Sequence, residues 1–322
     1  MTEPESTPQP LQPLAAGDSL MQPQPTQPLG LPTPGQRVSG IAFPEQYVLP
    51  SKPGESSGTA VQDAFRQTQF VLGADLRLFA EGMNLQLGVL RDSSHSRYRT
   101  HAYAAVLSTW SRAYSTLADA CLLVTRGSYA TVPNLVRSAG ELIAAEYQIE
   151  REEMGEYVGW LLAHLKPDEQ HKAVDVGLGH FFAGTTLAAD EHLRLIYRAA
   201  SDLGRPNFGP TLLQTGPESN NVRLAYSFDD ASFHVGWAEI ELGWLLRLCE
   251  RQLTVATHMR DVLNITPETH SAVADYAARV QQSLSSASRA RIEEVDDGIG
   301  HKRWLFANFR RQPSGAPKKY LL

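Results

Sequence analysis

The chain has 322 residues and 35.5 kDa, with 42% hydrophobic and 20% charged side chains and a formal net charge of −6. Twelve of the 20 prolines fall in the first 60 residues. The remaining part, of about 260 residues, can bury roughly 70–75% of its unfolded surface without disulfides or metal. Two cysteines cannot build a disulfide framework, and the opening MTEPESTPQP lacks the basic start and apolar run of a secretory signal. No stretch reaches the roughly 18 uncharged apolar residues of a membrane span. These features predict a cytoplasmic protein.

Charge is unevenly spread. Residues 1–60 carry a net −3, residues 298–322 a net +6, and the part between them a net −9. An acidic body argues against a broad nucleic-acid surface, which needs clustered positive charge. The basic tail at 298–322 interleaves Trp304, Phe306, Phe309 and Tyr320 with its cations. It would suit stacking on single-stranded nucleic acid or anchoring at a membrane surface, against the plainer reading of a solvated tail or one docked on its own acidic body.

Residues 1–58 are Pro- and Gln-rich, with QPLQPL and QPQPTQPL recurring, and are expected to be disordered. Pro10–Pro13 and Pro25–Pro28 fit a PxxP pattern but lack a flanking arginine, which favours a plain linker. From about residue 60 the spacing turns helical, through Phe65, Leu72, Leu76, Phe79, Met83, Leu87 and Leu90. Next, Tyr103, Leu107, Trp110, Tyr114, Leu117, Cys121 and Val124 alternate steps of four and three, the seam of a helix packed on a helix. Arg126-Gly127-Ser128 ends it, and a third helix is predicted over 129–152 with Pro133 in its first turn. Shorter helical stretches are expected at 154–165, 168–176 and 188–202. Two runs, 211–215 and 222–228, flank a turn-rich segment; the second alternates Val222, Leu224, Tyr226 and Phe228, so a β-hairpin is expected at about 208–228.

A long helix is predicted over 231–263. One stripe carries Phe233, Trp237, Ile240, Trp244, Leu248, Val255 and Val262, and another carries Val235, Leu242, Leu246, Cys249 and Leu253. A helix apolar on both sides is buried on both sides, so this should be the central one. Cys121 and Cys249 then read as core residues. Thr266-Pro267-Glu268 caps a last helix to about 295. The fold expectation is all-α, a mostly antiparallel helical bundle over 59–297 with one inserted hairpin and disordered termini.

Polar residues interrupt these stripes. Arg251 and His258 lie two turns apart on the first stripe of the central helix, with Arg247 at its edge, and Glu146 lies at the centre of the third helix's stripe. A carboxylate there must pair, reach solvent or shift its pKa upward. The economical expectation is a polar cluster of Glu146 with Arg247 or Arg251; the alternative is that these side chains snorkel out at helix ends.

The run Arg251-Gln252-Leu253-Thr254-Val255-Ala256-Thr257-His258 on a late helix resembles the HEPN-like superfamily of helical proteins. The Gly127 turn leading into Val136-Arg137-Ser138-Ala139-Gly140-Glu141 is similar to uncharacterised families of that type. The resemblance covers about 98–263. It implies a metal-independent RNase in which His258 is the general acid/base and Arg251 stabilises charge developing on the phosphate.

Other chemistries are poorly supported. HExxH, ExxH and CxxC are absent, so no metal and no cofactor is expected. Asp229-Asp230 reads best as an N-cap, and His180 reads equally as a core histidine or as a ligand. Three functions follow, in order of preference. The first is a non-catalytic interaction or regulatory protein with a protein partner or self-association as a homo-oligomer. The second is the RNase of Arg251 and His258, and the third a small-ligand binder with a polar pocket near Glu146.

Overall fold

The computed structural model describes residues 40–94, 101–151, 184–216, 219–220 and 222–322, all within one unit, Leu31–Leu322. Residues 1–39, the PxxP segments, the helical stretches expected at 154–165 and 168–176, and His180 lie outside the described residues. The chain is mostly helical and ends in a small three-stranded antiparallel sheet. No helix among the described residues is long and apolar enough to cross a membrane.

Helices α1 (Thr59–Val71) and α2 (Gly73–Ser93) lead to α3 (His101–Thr125) and α4 (Val132–Arg151). The α3 seam behaves as its spacing predicts. Tyr103, Trp110, Leu117, Cys121 and Val124 are buried, and Leu107 and Tyr114 pack against them. Two hydrogen bonds close its C-terminus, Ser128 N to Leu123 O at 3.0 Å and Gly127 N to Val124 O at 3.2 Å. Gly127 has φ 75°, and a Cβ there would collide with the Ala231 carbonyl, so both backbone and space demand glycine.

After α5 (Gly184–Ala189), α6 (Glu191–Gly204) and α7 (Phe208–Thr215) comes the central helix α8 (Val235–His258). Every residue from Phe233 to Leu246 is buried, as the two-stripe pattern requires. Helix α8 packs on α2, α3, α4 and on α10 (Pro267–Leu284), which follows the short α9 (Arg260–Leu263). Cys121 and Cys249 are buried free thiols.

The sheet forms where the sequence predicted a helix end and a tail. Strand β1 (Arg291–Asp296) pairs with β2 (Lys302–Phe309) from Arg291↔Ala307 to Asp296↔Lys302, and β2 pairs with β3 (Lys318–Leu321). The register slips between Phe306 and Phe309, where Asn308 takes φ 54°. Residues three apart on a regular strand face opposite sides; the bulge turns both phenylalanines inward, against Trp237 at 5.7 and 5.1 Å between ring centroids. Its amide pins the bulge by donating to the carbonyl oxygens of Ala287 at 2.7 Å and Arg289 at 3.2 Å.

Three sequence expectations are corrected. Residues 40–58 lie on the body: Tyr47 exchanges hydrogen bonds with Asn84, packs edge-on to Phe79, and is joined on the core by Ile41 and Leu49. The Pro/Gln composition of the segment as a whole hid these apolar residues at its end. The hairpin expected at 208–228 is not formed among the described residues. Residues 208–215 are α7, with Pro210 inside its first turn where a missing N–H costs nothing, and 222–228 has no strand partner among the described residues. The tail at 298–322 is not a disordered terminus: it is docked on the body, as one of the two plain readings had it, and it shares its sheet with residues assigned to the preceding domain. Phe306 and Phe309 are buried, Trp304 Nε1 donates to Asp202 at 2.8 Å, and Arg310 meets Glu239 at 3.0 Å. Those rings are therefore occupied by the protein's own core.

Candidate functional site

Helices α4 and α8 bring Glu146 and Gln252 together. Gln252 Nε2 donates to Glu146 Oε1 at 3.0 Å and lies 3.4 Å from the Trp110 carbonyl oxygen. Trp110 Nε1 in turn donates to Gln86 Oε1 at 2.7 Å, and Gln86 Nε2 to Cys249 Sγ at 3.2 Å. Glu146 is fully buried, and its Oε2 has no partner among the described residues. Desolvation pushes its carboxyl well above the usual range, with the Gln252 bond opposing. Glu146 thus meets neither arginine. Of the options open to a stripe carboxylate it takes the upward shift, in a seam sealed from water.

The arginines serve other helices. Arg247 lies 3.3 Å from Glu250 Oε2 and donates to Gln281 Oε1 of α10 at 2.6 Å. Arg251 Nη1 meets Asp190 Oδ2 at 3.1 Å, and its Nε lies 3.4 Å from Glu250 Oε2. Asp190 also caps α6, accepting from Leu193 N at 2.9 Å, so the Arg251 pair latches α8 to the start of α6. His192 sits nearby, its pKa lowered by desolvation and then by Arg247 and Arg251.

Arg251 and His258 do share a side of α8, with Tyr147 between them. The Arg251 guanidinium lies 6.0 Å from the Tyr147 ring centroid, and the exposed His258 ring stands edge-on to it at 6.0 Å. The Tyr147 hydroxyl donates to the Arg251 carbonyl at 3.0 Å. A phosphate arriving here would compete with two carboxylates already held by the Arg251 guanidinium.

Two clefts lie beside α8. One of about 190 Å³ is lined by Trp244, Trp304, Ile240, Arg247, Arg289 and His192. Its deepest cation is already committed, since Arg289 meets Asp75 at 2.5 Å and donates to the Glu239 carbonyl at 2.7 Å. The second, about 140 Å³, lies at the start of α8 among Tyr129, Asp229, Asp230, His234 and Trp237. The helix cap here is His234, not the aspartates, because α8 begins at Val235. His234 Nδ1 accepts from Trp237 N at 3.3 Å, while Asp230 accepts from Ser232 N at 2.8 Å. Val235 N and Gly236 N donate to the carbonyls of Arg311 and Arg310 at 3.1 and 2.9 Å. Gly236 permits that approach, since a Cβ would lie 2.8 Å from Phe309 Cδ2. The end of β2 thus takes up the first donors of the helix. Desolvation, with Arg311 second, pushes the His234 pKa down to about 4. Among the described residues, no three His, Cys, Asp or Glu side chains are grouped to hold a metal ion.

A third feature is an exposed apolar run. Val222, Leu224, Tyr226 and Phe228 are 91%, 62%, 56% and 97% exposed, with Phe208 at 81%. The period-two alternation in the sequence matches the alternate backbone hydrogen bonds of 223, 225 and 227; it carried no information about a partner strand. No family model, curated protein or solved structure matches the chain.

Proposed function

We propose that the chain is a non-catalytic interaction protein, its helices arranged as a mostly antiparallel bundle that presents the 222–228 run as a docking element. The exposed row of Val222, Leu224, Tyr226 and Phe228 carries this reading. Four large apolar side chains on one face of an extended segment leave apolar area in water that a protein partner would cover. The cations that could serve a phosphate substrate support it indirectly, because Arg247, Arg251 and Arg289 each hold a carboxylate.

The HEPN-like RNase is the second reading, favoured by one observation. Arg251 and His258 flank the Tyr147 ring, so a general acid/base and a cation stand near each other on one side of α8. The small-ligand reading draws no support from Glu146, which is sealed in the core. The deciding measurement is cleavage of single-stranded RNA by the wild-type protein in excess chelator. Intact RNA is expected. Wild-type cleavage that is lost in His258→Ala with unchanged melting, and lost in Arg251→Ala at a temperature where that variant remains folded, would replace the interaction reading by the RNase.

A further inference from the structure

The segment 222–228 has two unlike edges. On its inner edge, Arg223 N donates to Asn220 Oδ1 at 2.8 Å, Ala225 N to Ser219 Oγ at 3.0 Å and Ser227 N to the Thr215 carbonyl at 2.8 Å. Asn220 N returns a bond to the Arg223 carbonyl at 2.8 Å, and Ser219 Oγ approaches the Ala225 carbonyl at 3.3 Å. In extended chain the N–H and C=O of one residue point to the same edge, and successive residues alternate. The groups of Leu224, Tyr226 and Phe228 therefore face outward, and among the described residues they have no hydrogen-bond partner. The same residues carry the exposed apolar side chains. Val222 N also donates to Asn220 Oδ1, at 2.9 Å, so the open backbone edge and the apolar face coincide at Leu224, Tyr226 and Phe228, the arrangement to which an added strand pairs.

We propose that the occupant of this edge is the same segment of a second copy, paired antiparallel about a two-fold axis through Tyr226. This rests on the interaction reading above and names its partner. The charges select both partner and register. Arg223 and Asp229 are exposed, neither side chain has an ion-pair partner among the described residues, and they lie three residues to either side of Tyr226. Pairing Tyr226 with its symmetry mate sets Leu224 opposite Phe228 and Arg223 opposite Asp229, each twice by symmetry. Centring the axis one residue earlier sets Arg223 against Ser227 and leaves both charges alone. The Tyr226 register also places the outward-facing Leu224, Tyr226 and Phe228 in hydrogen-bonded pairs, each set against an apolar side chain of the other copy. Asp229, at φ 50°, ends the extended run, so the ribbon stops at the charged pair.

The full-length protein tests this directly. Hydrogen-bonded antiparallel pairs hold Cα atoms about 5.5 Å apart, inside the span of a disulfide. Tyr226→Cys should therefore form an oxidised dimer, while Ala225→Cys should not. The native Cys121 and Cys249 are buried and give no background. In sedimentation equilibrium, Arg223→Glu and Asp229→Arg should each weaken dimerisation roughly tenfold or more, and the double swap should restore it. Arg223, Tyr226 and Asp229 are exposed and Ala225 is half-buried, so unchanged melting temperatures will show that the variants fold. A monomeric wild type, a cross-link at position 225 in place of 226, or a double swap that stays weak would each overturn the proposal. A monomeric wild type that leaves RNA intact removes only the self-pairing, whereas RNA cleavage removes the interaction reading itself.

Discussion

Gln252 gives an amide N–H to the Glu146 carboxyl at 3.0 Å, in a seam that water does not reach. Burial raises the folded pKa of Glu146 above its unfolded value near 4.3, so the folded chain holds this proton to higher pH. The stability this group contributes is complete below about pH 4 and erodes as pH rises toward the folded pKa. Glu146→Gln should leave denaturant stability nearly unchanged at pH 4 and raise it by about 1–2 kcal/mol at pH 8. An equal effect at both values would mean that Glu146 is solvated.

His234 should behave with the opposite sign. Its ring caps α8 only when Nδ1 is unprotonated, and burial lowers its pKa from 6.5 to about 4. The folded state therefore binds fewer protons, and the contribution, present above about pH 6.5, is lost as pH falls toward 4. The shift corresponds to an upper bound of about 3 kcal/mol. His234→Asn keeps a capping oxygen and should flatten the melting profile over that window while costing the aromatic contact with Phe309.

Arg251 and His258 are expected to separate in stability. Arg251→Ala removes a partly buried partner from Asp190 and Glu250, and should cost about 1–2 kcal/mol; His258→Ala, at an exposed position, should cost under about 0.5 kcal/mol. A double-mutant cycle with Asp190→Ala should recover a coupling of about 1 kcal/mol. Coupling between Arg251 and Glu146 instead would revive the pair that the sequence suggested.

Gly82 makes room where α2, α8 and α10 meet. A Cβ there would collide with the Tyr276 hydroxyl and lie 2.7 Å from Cys249 Sγ. Gly82→Ala should lower stability by about 1–3 kcal/mol despite alanine's better helix propensity, and Tyr276→Phe should recover part of the loss. A stabilised Gly82→Ala would mean that these helices separate easily.

Much of the helical part was legible because buried helix faces write their period into the chain. The α3 seam and the two stripes of α8 needed no knowledge of their partners. The sheet was hidden for a physical reason. Its bulge sets two inward phenylalanines three residues apart, a helical spacing, and β1 offers only Ile292 and Val295 among three acids and an exposed arginine. Glu146 was legible as an anomaly, but its partner was not. Arginines attract attention because charges must pair, whereas Gln252 is neutral and adjoins Arg251 in sequence while facing another side of the helix.

The first turn of α8 gives its N–H groups to carbonyls of Arg310 and Arg311, and Glu239 within it pairs with Arg310, 71 residues along the chain. During synthesis this helix leaves the ribosome well before the strand that completes it. Its C-terminal half can pack early on α2, α3 and α4, while its opening turn waits for chain not yet made. A nascent chain paused before β2 therefore exposes Trp237 at the unfinished end of an otherwise assembled core, and Phe306 and Phe309 of β2 close it on emerging.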